Sequence, residues 1–186
     1  MTGVLERFAG TEWTVDSLRR SGYGELPGWE LLDGRLEKKM GKGFRHYNTT
    51  RLLHKALDLA FGTPDWCTFF EAPIQLDPGN LPEPDVSVVS RRSLEEERDA
   101  RAEEVRLVVE VSYTTQDDDF GHRLSRYARA GIGEYWVVDV SASGALHIYT
   151  EPEGDGYLRH RLVVGDDEVP YVTRPLRSVL SDEPST

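Results

Sequence analysis

Three carboxylates occupy positions where they could do chemistry. Glu110 interrupts Val105–Val111, a run dominated by Val and Leu, Asp85 follows a proline just before the apolar run Val86–Val89, and Glu30 precedes a turn. A carboxylate in a buried strand is costly unless a metal, a cation or hydrogen bonds compensate it. An Asp and a Glu that converge from neighbouring strands form an oxygen-rich site for Mg²⁺ or Mn²⁺. Such an ion can activate water and neutralise charge on a phosphate under attack.

A purely structural role for these residues also fits the sequence. Asp85 could cap a turn, and Glu110 could form an ion pair with Arg123 or Arg106. Because clustered carboxylates repel each other when no metal is bound, replacing Asp85 with Ala is expected to preserve or raise the thermal stability under the metal-site hypothesis.

The element that must position Glu110 is a strand–helix–strand unit. Val105–Val111 is typical of a strand buried on both faces, and alternation puts Glu110 and Ser112 on one of them. A helical pattern with Phe120 and Tyr127 on its apolar face follows, and then a second apolar run, Tyr135–Val140. This order predicts a βαβ-like unit in an α/β fold, with the strand direction left open.

The remaining elements form one predicted domain over residues 1–186. They are a short N-terminal helix over 14–22, a hairpin over Trp29–Glu37 around Asp33-Gly34, a helix over Phe44–Phe61, a strand over Thr68–Leu76 interrupted at Pro73, a charged helix or loop over Ser93–Glu104, a closing hairpin of Ala145–Thr150 and Tyr157–Val164, and a frayed tail from about Ser181.

Composition excludes several classes of protein. Cys67 is the only cysteine of the 186 residues, so an intrachain disulfide and a Cys-based zinc site are excluded. No apolar run reaches the length of a membrane span, and Met1–Gly10 lacks the apolar core of a signal peptide, so we expect a cytoplasmic protein without membrane contact. The net charge of −11 argues against a protein that simply coats nucleic acid.

One basic cluster stands out against this acidic background. It consists of Lys38, Lys39, Lys42 and Arg45, in and just after a glycine-bearing loop. The cluster is either a set of phosphate contacts or an ordinary charged loop.

The order of the motifs resembles a known family. The segments are Pro84-Asp85-Val86, then Val108–Ser112 with Glu110 inside it, then Thr115, Asp119 and Arg123, then Tyr127–Trp136. Together with the hairpin segment Trp29–Leu36 and with His46 at the start of a long helix, they are similar to the Uma-type family of restriction endonucleases, in the PD-(D/E)xK nuclease superfamily. The resemblance extends from about Thr14 to Leu162.

This resemblance implies a restriction-endonuclease-like α/β core, with a central mixed sheet flanked by helices. It also implies hydrolysis of DNA phosphodiester bonds with Mg²⁺ or Mn²⁺. By position, Asp85 and Glu110 match the metal ligands of the family, the backbone carbonyl of Val111 is a further ligand, and Glu30 is an auxiliary acid. His46 is expected to line the cleft.

Two residues depart from the superfamily pattern. Ser112 stands where the superfamily often has a lysine, and Arg123 stands where the Uma-type family has a lysine on the following helix. Helical periodicity puts Arg123 at the edge of the apolar stripe, so it could lean toward Glu110. Arginine can stabilise a phosphate electrostatically, but it is a poor proton shuttle. Asp119 either orients Arg123 or belongs to a solvated first helical turn.

Two functions from different classes therefore remain. Glu30, Asp85 and Glu110 favour a metal-dependent endonuclease acting on DNA, whereas Ser112, Arg123 and the acidic composition favour a catalytically inactive module that binds nucleic acid or protein. We expect the endonuclease. The sequence does not determine whether the substrate is DNA or RNA, which target sequence is recognised, or whether the protein forms a homodimer.

Overall fold

The protein is described by a computed structural model over residues 12–22, 28–39, 41–112, 118–140 and 144–181. The strands of this part of the chain are β1 Trp29–Leu32, β2 Arg35–Lys38, β3 Trp66–Phe69, β4 Ile74–Gln75, β5 Val86–Ser90, β6 Ala100–Arg101, β7 Val105–Ser112, β8 Glu134–Asp139, β9 Ala145–Glu153, β10 Gly156–Val164, β11 Glu168–Val169 and β12 Arg174–Pro175. The helices are α1 Val15–Arg20, α2 Phe44–Phe61, α3 Arg91–Glu95, α4 Arg123–Arg129 and α5 Leu176–Val179, with a 3₁₀ turn at Ala102–Glu104 and a π-helical turn at Asp118–His122.

The centre of the fold is a mixed six-stranded sheet. Its strand order is β10-β9-β8-β7-β5-β3, in which β7 and β8 are parallel and every other neighbouring pair is antiparallel. Strands β7 and β8 are joined by the π-helical turn and α4, so the predicted βαβ unit is confirmed and its strands are parallel. The α/β fold class, a mixed sheet flanked by helices, is confirmed as well.

The two faces of β7 pack against different helices because its side chains alternate. Leu107, Val109 and Val111 join one core cluster with residues of α2, while Val108 joins a second cluster with Tyr127 of α4. Glu110 shares the second face with Val108, so its side chain points to the α4 side. The strand is thus buried on both faces, as predicted.

Helix α2 carries a long buried stripe and starts beside the sheet. Its bounds, Phe44–Phe61, match the prediction, with Leu53 and Leu57 almost fully buried. Gly43 is the N-cap residue and makes no side-chain cap bond. The first turn of α2 buries His46, whose Nε2 lies 3.0 Å from Oδ2 of Asp85.

The predicted hairpin is β1–β2, and its turn is the one that Asp33-Gly34 favours. Both residues have positive φ, 49° and 74°, as a type I′ turn requires. The hairpin is attached to the chain before β5, because the Leu81 N–H donates to the Leu31 carbonyl at 2.8 Å. This attachment brings β1 close to the N-terminal end of β5.

Several predicted boundaries differ in the structure. The strand predicted over Thr68–Leu76 is two strands, β3 and β4, separated by a break in which Glu71 has a φ of 51°. The charged segment Ser93–Glu104 folds into the end of α3, β6 and the 3₁₀ turn. The N-terminal helix is shorter than predicted, because it ends before Gly22, which has a φ of 76°. Among the described residues, no helix combines the length and the apolar character needed to cross a membrane.

Candidate active site

A cleft of about 630 Å³ opens where β5 begins and β7 ends. The β1–β2 hairpin, the start of α2 and the start of α4 contribute the rest of its walls. The residues that line it are Glu30, Leu32, Glu37, Lys38, Lys39, Gly41, Lys42, Gly43, His46, Glu83, Asp85, Glu110, Val111, Ser112, Asp119 and Arg123. Most of the site residues predicted from the sequence are therefore brought to one cavity.

The register of the sheet brings Asp85 and Glu110 together. Val86 on β5 pairs with Val109 on the antiparallel β7. The same register sets Asp85, which precedes Val86, beside Glu110, which follows Val109. The backbone N–H of Asp85 donates to Oε2 of Glu110 at 3.4 Å, and the N–H of Val111 donates to Oδ2 of Asp85 at 2.7 Å. Both carboxylates are buried, with relative exposures of 2 and 4%.

Two cationic or basic side chains contact Asp85 from the N-terminal half of the chain. The Lys42 ammonium forms an ion pair with Oδ1 of Asp85, and His46 Nε2 lies 3.0 Å from Oδ2. Burial disfavours the charged form of Asp85, but the hydrogen bond from His46 and the charge of Lys42 outweigh it and lower the pKa of this carboxyl. Burial likewise opposes the charge of Lys42, yet Asp85 and Glu71 raise its pKa. Asp85 is therefore an ionised carboxylate.

Glu110 is held from the other side by α4. Its Oε1 accepts hydrogen bonds from Tyr127 Oη at 2.9 Å and from Arg123 Nη1 at 3.0 Å. Burial raises the pKa of Glu110 to about 8, because the attraction of Arg123 does not offset it and Asp85, Asp119 and Glu30 add repulsion. Near neutral pH Glu110 is thus mostly protonated while the cleft holds no additional cation.

Arg123 bridges two carboxylates that are far apart in sequence. Its Nη2 donates to Oε2 of Glu30 at 2.6 Å, in addition to the bond to Glu110, and its Nε lies 3.6 Å from Asp119. Burial opposes the guanidinium charge, but Glu110 and Glu30 raise the pKa of Arg123, so the group stays a cation. Arg106, the other suggested partner of Glu110, pairs with Glu134 instead.

Glu30 also fixes the hairpin to the cleft. Its Oε1 accepts the backbone N–H of Glu83 at 2.7 Å, two residues before Asp85. Glu30 is buried, and Asp33 at the hairpin turn pairs with Arg126 of α4. Two ion pairs, Glu30–Arg123 and Asp33–Arg126, therefore join the hairpin to α4.

The basic cluster predicted from the sequence divides in the structure. Lys42 enters the cleft, Lys39 lines it and pairs with Glu83 at 3.1 Å, and Lys38 lies exposed at its edge. Arg45 is exposed on the first turn of α2 and does not line the cleft.

Ser112 and Asp119 both line the cleft, and Ser112 is buried. Thr115, which contributed to the resemblance, lies outside the described residues.

Two site residues were not predicted from the sequence. Tyr127, which we expected only to pack, donates to Glu110, and Glu71 is the second partner of Lys42 at 2.9 Å. The spacing of Tyr127, one helical turn after Arg123, is a signal that could have identified it. Glu71 lies in the break between β3 and β4, and no local sequence pattern predicts the path of that segment.

The donor chemistry of the cleft suits a hard divalent cation. Within the described residues, no three side chains of His, Cys, Asp or Glu form a cluster that could hold a metal ion. Asp85 and Glu110 nevertheless offer oxygen donors, and in the described part of the chain Oε2 of Glu110 accepts only the long bond from Asp85. The N–H of Val111 points to Asp85, and in an extended strand the carbonyl of the same residue points to the same side. Two carboxylates and a carbonyl are ligands that Mg²⁺ and Mn²⁺ accept.

A solved structure has a fold similar to that of this chain. It is described as "a putative nuclease belonging to DUF820" from Anabaena variabilis ATCC 29413, with a TM-score of 0.67 and 14% identity over 90% of this chain and 97% of that one. This likeness shows the α/β fold. The Uma2 family, described as "Putative restriction endonuclease", matches residues 17–179, and the chain belongs to that family. The resemblance seen in the sequence is thus confirmed. No curated protein matches the chain.

Proposed function

We propose that this protein is a divalent-metal-dependent endonuclease that hydrolyses phosphodiester bonds in DNA. The observation that carries the proposal is the convergence of Asp85 and Glu110 on one cleft, beside a guanidinium clamped by Glu30. Membership of a restriction-endonuclease family favours nucleic acid as the substrate. The choice of DNA, the need for a metal and the roles of individual residues are parts of this proposal.

Asp85, Glu110 and the carbonyl of Val111 are the groups that would hold Mg²⁺ or Mn²⁺. When bound, such an ion supplies Lewis-acid stabilisation of a phosphate and lowers the pKa of a bound water. His46 and the Val111 N–H both contact Oδ2 of Asp85 and fix the orientation of that carboxylate. A fixed carboxylate is what a geometrically demanding ion such as Mg²⁺ requires.

Arg123 is the group proposed to stabilise the phosphate. Its guanidinium is a permanent cation held at the cleft wall by Glu30 and Glu110, so no reorganisation is needed to present its charge. Glu30 acts through Arg123 and is a positioning residue. Ser112 has no basic group, so its side chain cannot supply the charge of the superfamily lysine.

A plasmid-cleavage assay tests the proposal. Wild-type protein with Mn²⁺ is expected to cleave, EDTA to stop cleavage, and Glu110→Gln to lose cleavage and Mn²⁺ binding measured by calorimetry. Glu134→Gln is the matched control, since Glu134 is also a buried strand glutamate but pairs with Arg106 outside the cleft. Absence of Mn²⁺-dependent cleavage by wild type, or unchanged cleavage by Glu110→Gln, would contradict the proposal.

The second candidate is a catalytically inactive nuclease-fold module that binds nucleic acid or protein. It is favoured by the ion pairs of Lys42 with Asp85 and of Arg123 with Glu30, which compensate acidic residues of the cleft without a metal. Duplex binding without Mn²⁺-dependent cleavage would support it. A homodimer, a cytoplasmic location and a single domain over residues 1–186 stay predictions.

A further inference from the structure

Lys42 is the one lysine of the basic loop with an ion pair to a proposed metal ligand among the described residues. Its ammonium contacts Oδ1 of Asp85 and, at 2.9 Å, Oε1 of Glu71. The Lys42 side chain is 17% exposed, against 35% for Glu71 and 4% for Asp85. Lys42 therefore lies between a buried carboxylate and one at the surface.

Lys42 lies between two glycines in the segment that leads into α2. Gly41 and Gly43 flank it, and a Cβ added at either glycine would meet no atom within 4 Å. Gly43 is also the N-cap of α2, so Lys42 precedes the helix. Because the ammonium already contacts the more exposed Glu71, Lys42 can leave Asp85 and keep one carboxylate partner.

Competition for Asp85 follows from this geometry. The Lys42 ammonium occupies the Oδ1 side of Asp85, while His46 and the Val111 N–H occupy Oδ2. Oδ1 is therefore the oxygen through which Asp85 can ligate a cation. Two cations cannot share one such oxygen at contact distance without strong repulsion, so Lys42 must move when Asp85 ligates a metal.

We propose that Lys42 is a displaceable counterion of Asp85: it neutralises the cleft in the free protein and, once displaced, contacts a phosphate of the bound nucleic acid. This role rests on the proposed metal-dependent nuclease function. Lys42 would then supply the ammonium that the superfamily lysine supplies at the position of Ser112. It would do so from the loop before α2 instead of from β7. Lys42 and Arg123 would act on the phosphates from opposite walls of the cleft.

Calorimetry with Mn²⁺ in the absence of DNA tests the first half of the proposal. Lys42→Gln removes the competing charge and should tighten Mn²⁺ binding by about tenfold, whereas Lys42→Arg keeps a cation at Asp85 and should bind Mn²⁺ no more tightly than wild type. Lys55→Gln makes the same charge change on an exposed position of α2 and should match wild type. If Lys42→Gln does not fold, Lys42→Met, which retains the apolar stem, is measured in its place.

Binding of a short fluorescent DNA duplex in Ca²⁺ tests the second half. Lys42→Gln should weaken binding by about threefold or more and lower the slope of log K against log salt by about one, because one phosphate contact is lost. Lys42→Arg should keep both the affinity and the slope close to those of wild type.

The outcomes separate this inference from the proposed function. Equal Mn²⁺ affinity of wild type and Lys42→Gln would overturn the counterion role and leave the metal-dependent function standing. Tighter Mn²⁺ binding with unchanged DNA affinity would overturn the phosphate contact. Absence of Mn²⁺ binding by both proteins would overturn both proposals.

Discussion

Asp85→Ala separates the metal-site chemistry of the cleft from its structural role. Repulsion among clustered acidic residues, considered from the sequence alone, predicts an unchanged or higher melting temperature. The structure reverses this expectation. Asp85 contacts Lys42, His46 and the N–H of Val111, and although burial opposes its charge, His46 and Lys42 hold its pKa below the usual value. The carboxylate is thus a net stabilising group even without a metal.

The size of the effect follows from burial. Removing one member of a buried ion pair costs about 3–5 kcal/mol, since the other charge is left without compensation. Lys42 keeps Glu71 as a partner, so we expect the lower end, about 3 kcal/mol. For a chain of this size, about 2–4 °C are lost per kcal/mol, which gives a decrease of about 6–12 °C. Asp85→Asn, which can still accept from Val111, should lose about half as much.

Thermal melting in EDTA, followed by circular dichroism, measures this decrease without any metal contribution. Asp155→Ala, in the exposed turn between β9 and β10, is the control and should change stability by less than about 0.5 kcal/mol. Calorimetry on the same Asp85→Ala protein should show no Mn²⁺ binding. A melting temperature equal to or above that of wild type would refute the ion-pair reasoning and restore the repulsion argument.

Three further outcomes are expected. Arg123→Lys should retain Mn²⁺-dependent plasmid cleavage, while Arg123→Ala should lose cleavage and keep Mn²⁺ affinity; equal cleavage by wild type and Arg123→Ala would defeat the role given to Arg123. The pKa of Glu110 is raised from 4.5 to about 8 in the folded protein, so between these pH values unfolding releases its proton. The free energy of unfolding should therefore fall as the pH rises from about 4.5 to 8 and should stay constant above pH 8. Melting curves of Glu110→Gln should lack this slope, and an identical slope would exclude Glu110 as its source. Gly62→Ala should destabilise the fold by about 1–3 kcal/mol in urea unfolding, since its Cβ would lie 2.6 Å from a backbone oxygen, whereas Gly133→Ala, with no atom within 4 Å, should not.

The parts of the fold that could be predicted are those with a local signal. Helix α2 has a complete apolar stripe and flanking glycines, and β1–β2 has an Asp-Gly turn, so both were found at or within one residue of their bounds. The pair β4–β6 is two residues long and joins Ile74 to Ala100. Such a pair has no periodicity of its own and is fixed by contacts across the chain, so it was not predicted.

The candidate site divides in the same way. Glu110 was found because a carboxylate contradicts the apolar pattern around it, and Arg123 was one of two suggested partners. That Arg123 also binds Glu30 could not be predicted, because the two residues are 93 positions apart and meet only when the hairpin docks. The path of the loop decides which lysine of the basic cluster enters the cleft, and the composition of that loop does not determine its path.

The charges of the cleft explain why proton and metal binding should be linked. Among its described lining residues, six carboxylates face four permanent cations, which leaves two negative charges when every acid is ionised. Burial raises the pKa of Glu110 to about 8, so below this pH Glu110 keeps its proton and the excess is reduced to one. A divalent cation would remove the whole excess and favour the ionised form of Glu110, so its binding must release a proton. Mn²⁺ affinity should therefore increase from pH 6.5 to 8.5, and calorimetry in buffers of different ionisation enthalpy should detect the released proton. A pH-independent affinity without proton release would show that Glu110 is not a ligand.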